Sequence, residues 1–181
     1  LGEPGHVGIA ITFGAVIAAL IYTFGHISGA HFNPAVTLAF WSIGEGSRRS
    51  VMLYILAQCA GAILGSVVLL VLFAPMGSLE EMAYLGATLP RYEAWQAFVM
   101  EFILTFILML VICGSAVHGR AVKSFAGLAI GLTVGLEAMF AGPITGASMN
   151  PARSLGPALV SLHLQHLWIY LIATTLGAIT A

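Results

Sequence analysis

Apolar runs of about twenty residues recur along this chain, and they restrict its fold more than any other feature. As a helix rising 1.5 Å per residue, each is long enough to cross a hydrocarbon layer of roughly 30 Å. The runs cover about 6–27, 49–73, 93–117, 124–142 and 166 to the end. Lipid offers the backbone no water, so each span must satisfy its own N–H and C=O groups as a helix. One such run could be the buried helix of a soluble domain. Several in 181 residues, of which 60% are hydrophobic and only 7% charged, leave no polar face to meet water. The sequence therefore describes an all-α, multi-pass protein of the lipid bilayer.

Composition removes other classes. Asp is absent, six Lys/Arg nearly cancel seven Asp/Glu, and no basic stripe could neutralise phosphates, so nucleic acid is excluded as a partner. No His-Glu-x-x-His or Cys-x-x-Cys spacing occurs and the pore segments hold no carboxylate pair, so we expect no metal, no cofactor and no enzyme. Cys59 and Cys113 lie inside apolar runs as small hydrophobes. The first residues, LGEPGH, carry no basic region of the kind that opens a signal peptide.

The few charges set an orientation. Arg48 and Arg49 precede the second span, and Arg120 and Lys123 lie between the third and fourth, so both loops are expected in the cytoplasm. The loop 74–92, with Glu80, Glu81 and only Arg91, is expected outside. Gly61 and Gly65, and likewise Gly127, Gly131 and Gly135, recur at four-residue spacing, which predicts close helix packing on one face.

The chain also repeats itself. GHISGAHFNPA, from Gly25 to Ala35, returns as GPITGASMNPA, from Gly142 to Ala152, at an offset of 117 residues. Each box leads into a short apolar segment, 33–43 and 150–161, long enough for about half a bilayer. The orientation derived above places the first box on the cytoplasmic side and the second outside. The copies are therefore inverted, an architecture found in membrane transport proteins. We read one domain over 1–181, with a first repeat at about 6–73 and a second at about 93–181. The second repeat runs span, span, half-segment, span, whereas the first begins at what corresponds to its second span. This leads us to expect a further transmembrane helix before Leu1, and a last span clipped at Ala181.

Asn is a favoured helix N-cap and Pro a favoured first helical residue. Asn33-Pro34-Ala35 and Asn150-Pro151-Ala152 thus read as the starts of two half-helices. Entering from opposite sides, they would meet with N-termini of about +0.5 charge each near the bilayer centre, repelling cations. With each Asn oxygen engaged in its cap, the NH₂ group is expected to be free to donate into a lumen. A water accepting from both amides would point its hydrogens away and interrupt a proton wire. The small-residue segments Gly29-Ala30-His31 and Gly146-Ala147-Ser148 are expected to be extended, offering carbonyls as acceptors. Such a path suits water and small neutral solutes. An ion channel or coupled transporter, the rival reading, would usually show charged rings or paired intramembrane carboxylates.

These residues also resemble a known family. Both Asn-Pro-Ala boxes, Arg153 after the second, SGAHFNPAVT from Ser28 to Thr37, and Ala57-Gln58 with Gly61-Ala62 match the major intrinsic proteins, the aquaporins and aquaglyceroporins. GHISGAHFNPAVT together with FAGPITGASMNPARSLGPALV is most similar to the nodulin-26-like branch and its bacterial relatives. The resemblance implies an aquaporin-like right-handed bundle of six spans and two re-entrant half-helices, assembled as a homotetramer in the plasma membrane, with one pore per protomer. It implies a selectivity filter of Phe13, Ala138, Ala147 and Arg153. Ala138 stands where strict water channels usually carry His, so the filter is expected to pass water, glycerol, urea or metalloid hydroxides. Ser154 and Ala158 match water channels and keep a strictly water-selective pore as the alternative. Ala147 replaces the cysteine of mercury-sensitive relatives, so block by mercury there is not expected. Glu101 resembles a buried acid that braces the second half-helix loop. His31 is expected to line the pore, His26 to pack in its loop, and His6, His118, His163 and His166 to sit solvated at span ends. Glu137, beside Ala138, is left between the loop and the lumen.

Overall fold

A computed structural model describes residues 5–181; Leu1–Pro4, with the reading of the chain's beginning, lies outside the described residues. Among these, all regular structure is helical. The long helices are α1 (Gly5–Ser28), α3 (Arg48–Phe73), α5 (Ala94–Ile112, continued by a π-helical turn Cys113–Val117), α6 (Ala126–Thr145) and α8 (Leu167–Thr180). Two short helices follow the boxes, α2 (Pro34–Ser42) and α7 (Pro151–Val160). A single turn in the loop after α3, α4 (Ala83–Gly86), contains left-handed Tyr84 and Leu85. Helices α1, α3, α5 and α6, the last two with their flanking turns, are long and apolar enough to cross a membrane; α8 is shorter, at 14 residues.

The burial pattern is that of a bundle whose solvent is lipid. In α1 only Ala10 and Gly14 are buried, while Val7, Ile11 and Val16 are exposed. Such faces need no polar residues where hydrocarbon replaces water. Polar groups work instead at the helix starts: the Ser47 hydroxyl accepts from Ser50 N–H at 3.1 Å, and Ser50 Oγ from Ser47 N–H at 2.9 Å. This reciprocal pair caps α3.

The repeat relation appears in the packing. Helix α1 lies along α6, its counterpart, while α2 leans on α8 and α7 on α3, so each half-helix rests against a long helix of the other repeat. Helix α5 packs on α8 and α6. Close approach of α1 and α6 depends on missing side chains: a Cβ on either Gly14 or Gly131 would stand 2.5 Å from the other's carbonyl oxygen. Gly127 likewise receives the Tyr22 ring. Gly61 and Gly65 behave otherwise, since a Cβ at either meets nothing within 4 Å. The expected packing of that pair is not found among the described residues: both glycines are exposed, and Gly65 borders an open groove instead of a helix backbone.

Helix α1 ends at Ser28, as expected, and α6 runs three residues further than expected, to Thr145. The first residues of each box, Gly25–Ser28 and Gly142–Thr145, are therefore last helical turns. In an apolar setting the backbone keeps its helical bonds until a left-handed glycine stops it. Gly29 (φ 79°) and Gly146 (φ 86°) do so, their N–H groups bonding Gly25 O and Gly142 O at 2.9 Å.

Candidate functional site

The two half-helices begin tip to tip. Asn33 and Asn150 adopt extended backbone as N-caps; Asn33 Oδ1 accepts from Ala35 N–H at 2.9 Å, and Asn150 Oδ1 from Ala152 and Arg153 N–H at 3.0 and 3.3 Å. Their amide groups cross between the repeats. Asn33 Nδ2 donates to Met149 O at 2.7 Å, and Asn150 Nδ2 donates to Phe32 O at 2.8 Å. The expectation of a wholly free NH₂ is thus corrected: one hydrogen of each ties the opposite loop, and one remains.

The loops before the boxes are non-helical, but not uniformly extended as expected. Gly29, Ala30 and Phe32 have positive φ, and so do Gly146, Ala147 and Met149, their counterparts. A left-handed non-glycine residue costs roughly 1–2 kcal/mol. Here it turns the carbonyls of Phe32 and Met149 toward the two Asn amides.

Each loop has its own brace. Glu101 of α5 is fully buried; its Oε1 accepts from Thr145 Oγ1 at 2.7 Å and Ser148 N–H at 2.9 Å, and its Oε2 accepts from Met149 N–H at 2.9 Å. Tyr170 donates its hydroxyl to Thr145 O at 2.7 Å. Hydroxyls of Thr88, Ser154 and Ser148 form a chain with steps of 2.7 and 2.6 Å, ending on Asn150 O at 2.9 Å. In the first repeat Thr37 is the hub. Its hydroxyl donates to Asn33 O at 3.0 Å and accepts from Gln58 Nε2 at 3.0 Å, so the His31 Nδ1 at 3.1 Å carries a proton toward it.

Between the repeats lies a cavity of ≈ 620 Å³, and all the expected site residues except Glu101 and the prolines and alanines of the two boxes line it. Gly29, Ala30, His31 and Asn33 come from the first repeat, and Gly146, Ala147, Ser148 and Asn150 from the second. Pro34, Ala35, Pro151 and Ala152 are buried in the first turns of α2 and α7 behind it. No carboxylate lines the cavity among the described residues. Phe13, Ala138, Ala147 and Arg153 all reach it, with the Arg153 guanidinium carbon 5.4 Å from the Phe13 ring centroid and Nη1 donating to Gly86 O at 2.6 Å. Phe13 and Arg153 also border a second groove, of ≈ 860 Å³, toward Gly65, Leu69 and Leu85. The expected filter is therefore open on that side among the described residues.

Other expectations shift. Glu137 lies neither in the cavity lining nor on the loop; it is buried and both oxygens lack a partner among the described residues. His26 stands exposed in the last turn of α1 instead of packing in a loop. His6 is not merely a solvated end residue, for it bonds Met139 O at 2.8 Å and lines the cavity. The signal that could have pointed to this bond is Pro143, which leaves the carbonyl four residues earlier without its helical donor.

Fold and site together define a multi-pass membrane bundle of inverted repeats with two re-entrant half-helices flanking a cavity. The major intrinsic protein family model matches residues 3–181, and the chain belongs to that family. It is 53% identical to nodulin-26 of Glycine max over 172 residues, covering 95% of this chain and 62% of that protein. With aquaporin NIP1-2 of Arabidopsis thaliana it shares 47% identity over 176 residues, covering 96% of this chain and 60% of that one. The chain thus spans about three fifths of the length of these curated relatives. The X-ray structure of the aquaglyceroporin from Plasmodium falciparum matches with a TM-score of 0.83 at 26% identity, covering 99% of this chain and 81% of that one.

Proposed function

We propose that the protein is a passive transmembrane channel for water and small uncharged solutes such as glycerol, urea or metalloid hydroxides, excluding protons and ions. The observation that carries this reading is the junction itself: two helix N-termini meet at a cavity that no carboxylate lines among the described residues, each Asn amide keeping one hydrogen beyond its cross-repeat bond. Positive helix ends and Arg153 disfavour cations. An accepting solute oxygen is favoured. The names of the relatives, aquaporin and aquaglyceroporin among them, support the same class.

In this reading Asn33 and Asn150 orient the solute at the centre, the loops 29–31 and 146–148 supply acceptors, and Phe13, Ala138, Ala147 and Arg153 select. Glu101 and the prolines act as support. Ala138 leaves the filter without the bulk and donor of a histidine, which favours solutes larger than water. We place the channel in the plasma membrane as a homotetramer, with the Arg48-Arg49 and Arg120-Lys123 loops in the cytoplasm. Stopped-flow light scattering of full-length protein in liposomes, with water, glycerol and urea, tests the function. Ala138→His is expected to cut glycerol and urea flux more than water flux. Water permeation without uptake of any neutral solute would overturn the wide-filter reading, and ionic current would overturn the class.

A further inference from the structure

Three features of the outer cavity converge on one side chain. His6, in the first turn of α1, donates its Nε2–H to the Met139 carbonyl of α6 at 2.8 Å. A carbonyl only accepts, so the facing ring nitrogen carries the proton. This carbonyl is available because its helical donor would be the N–H of residue 143, which is Pro. Gly142 completes the seat: a Cβ there would stand 2.6 Å from His6 Cε1. A carbonyl facing an apolar, lipid-like setting without its helical donor is costly to leave unmade, and the sequence supplies a donor from another helix.

The bond joins the two walls that carry filter residues. Phe13 lies seven residues after His6, two turns along the same face of α1, and Ala138 adjoins Met139; all but Met139 line the cavity. Deeper in the pair, Gly14 and Gly131 bring α1 and α6 into backbone contact. The two helices are thus fixed at two levels, with Phe13 and Ala138 between them. We infer that His6 is a positioning residue for solute selection, its bond to Met139 holding the distance across the outer constriction between Phe13 and Ala138. The inference rests on the channel reading and assigns part of its selectivity to a residue outside the filter. Without the bond, the outer ends of α1 and α6 lose their polar tie, keep only close backbone packing further in, at Ala10–Gly135 and Gly14–Gly131, and can part beyond it. Larger solutes gain most from such parting.

The test uses full-length protein in liposomes and compares water, glycerol and the longer polyol erythritol. His6→Leu is expected to raise the erythritol-to-glycerol flux ratio roughly two- to tenfold, the population change that one net hydrogen bond controls, with water flux little altered. His6→Gln, whose amide nitrogen can reach the same carbonyl, is expected to restore the wild-type ratio. Pro143→Ala returns an N–H to residue 143 and gives Met139 O its helical partner. In that background His6→Leu is expected to leave the ratio unchanged, a coupling that a merely structural histidine would not show. An equal effect of His6→Leu in both backgrounds, or a uniform loss of all fluxes that Gln does not rescue, overturns the inference. Wild-type liposomes that pass no glycerol defeat the solute-channel reading itself, before any variant is compared.

Discussion

Replacing Glu101 isolates what holds the second loop in its left-handed course. Its carboxyl is the acceptor for the Thr145 hydroxyl and for the N–H groups of Ser148 and Met149, at 2.7, 2.9 and 2.9 Å, with the side chain fully buried. Glu101→Ala leaves three buried donors unmet, each costing about 1–3 kcal/mol. The donors belong to one short loop and share one acceptor, so their losses do not simply add. The expected cost is about 3–6 kcal/mol, the lower part of the independent sum. Glu101→Gln is milder: its amide oxygen can keep the two bonds at the Oε1 position, while its NH₂ faces the Met149 N–H, for a loss of about 1–3 kcal/mol. Unfolding in detergent, followed by circular dichroism against denaturant, should rank wild type above Gln and Gln above Ala. Solute flux should fall in the same order, because Met149 O is also the acceptor that ties Asn33 across the repeat. An Ala variant as stable as wild type, or a Gln variant as damaged as Ala, would refute the reasoning.

Gly131→Ala is expected to destabilise the fold by about 1–3 kcal/mol through overpacking, since its Cβ would press on the Gly14 carbonyl at 2.5 Å and the Ala18 Cβ at 2.7 Å. Gly65→Ala, where the added carbon meets nothing within 4 Å among the described residues, is expected to be neutral or to stabilise the helix by up to about 1 kcal/mol; the same unfolding assay separates the two glycines, and equal losses would refute the distinction. Glu137→Leu is expected to raise stability by about 1–3 kcal/mol, because both buried oxygens lack partners among the described residues; a fall in stability would show that the carboxyl is held by something it needs.

The sequence reading reached furthest where local chemistry decides. Apolar length marks the spans, and Asn-Pro marks where α2 and α7 begin, because a cap and a ring-fixed φ act within one turn. Gly-rich spacing reached less far. It correctly groups Gly127 and Gly131 against α1, yet the same spacing at Gly61 and Gly65 meets open space among the described residues. Periodicity says which residues share a face, and only tertiary structure says whether that face has a neighbour. The cross-repeat bonds were harder still. Asn33 and Met149 are 116 residues apart, and Asn150 and Phe32 are 118, so nothing local announces them. The inverted repeat nevertheless contains the reason for them. Two half-helices that meet at their starts bring each Asn amide beside the residue preceding the other Asn. Left-handed Phe32 and Met149 present their carbonyls there, so the same backbone strain, written once in each copy, supplies the acceptor that the other copy's amide requires.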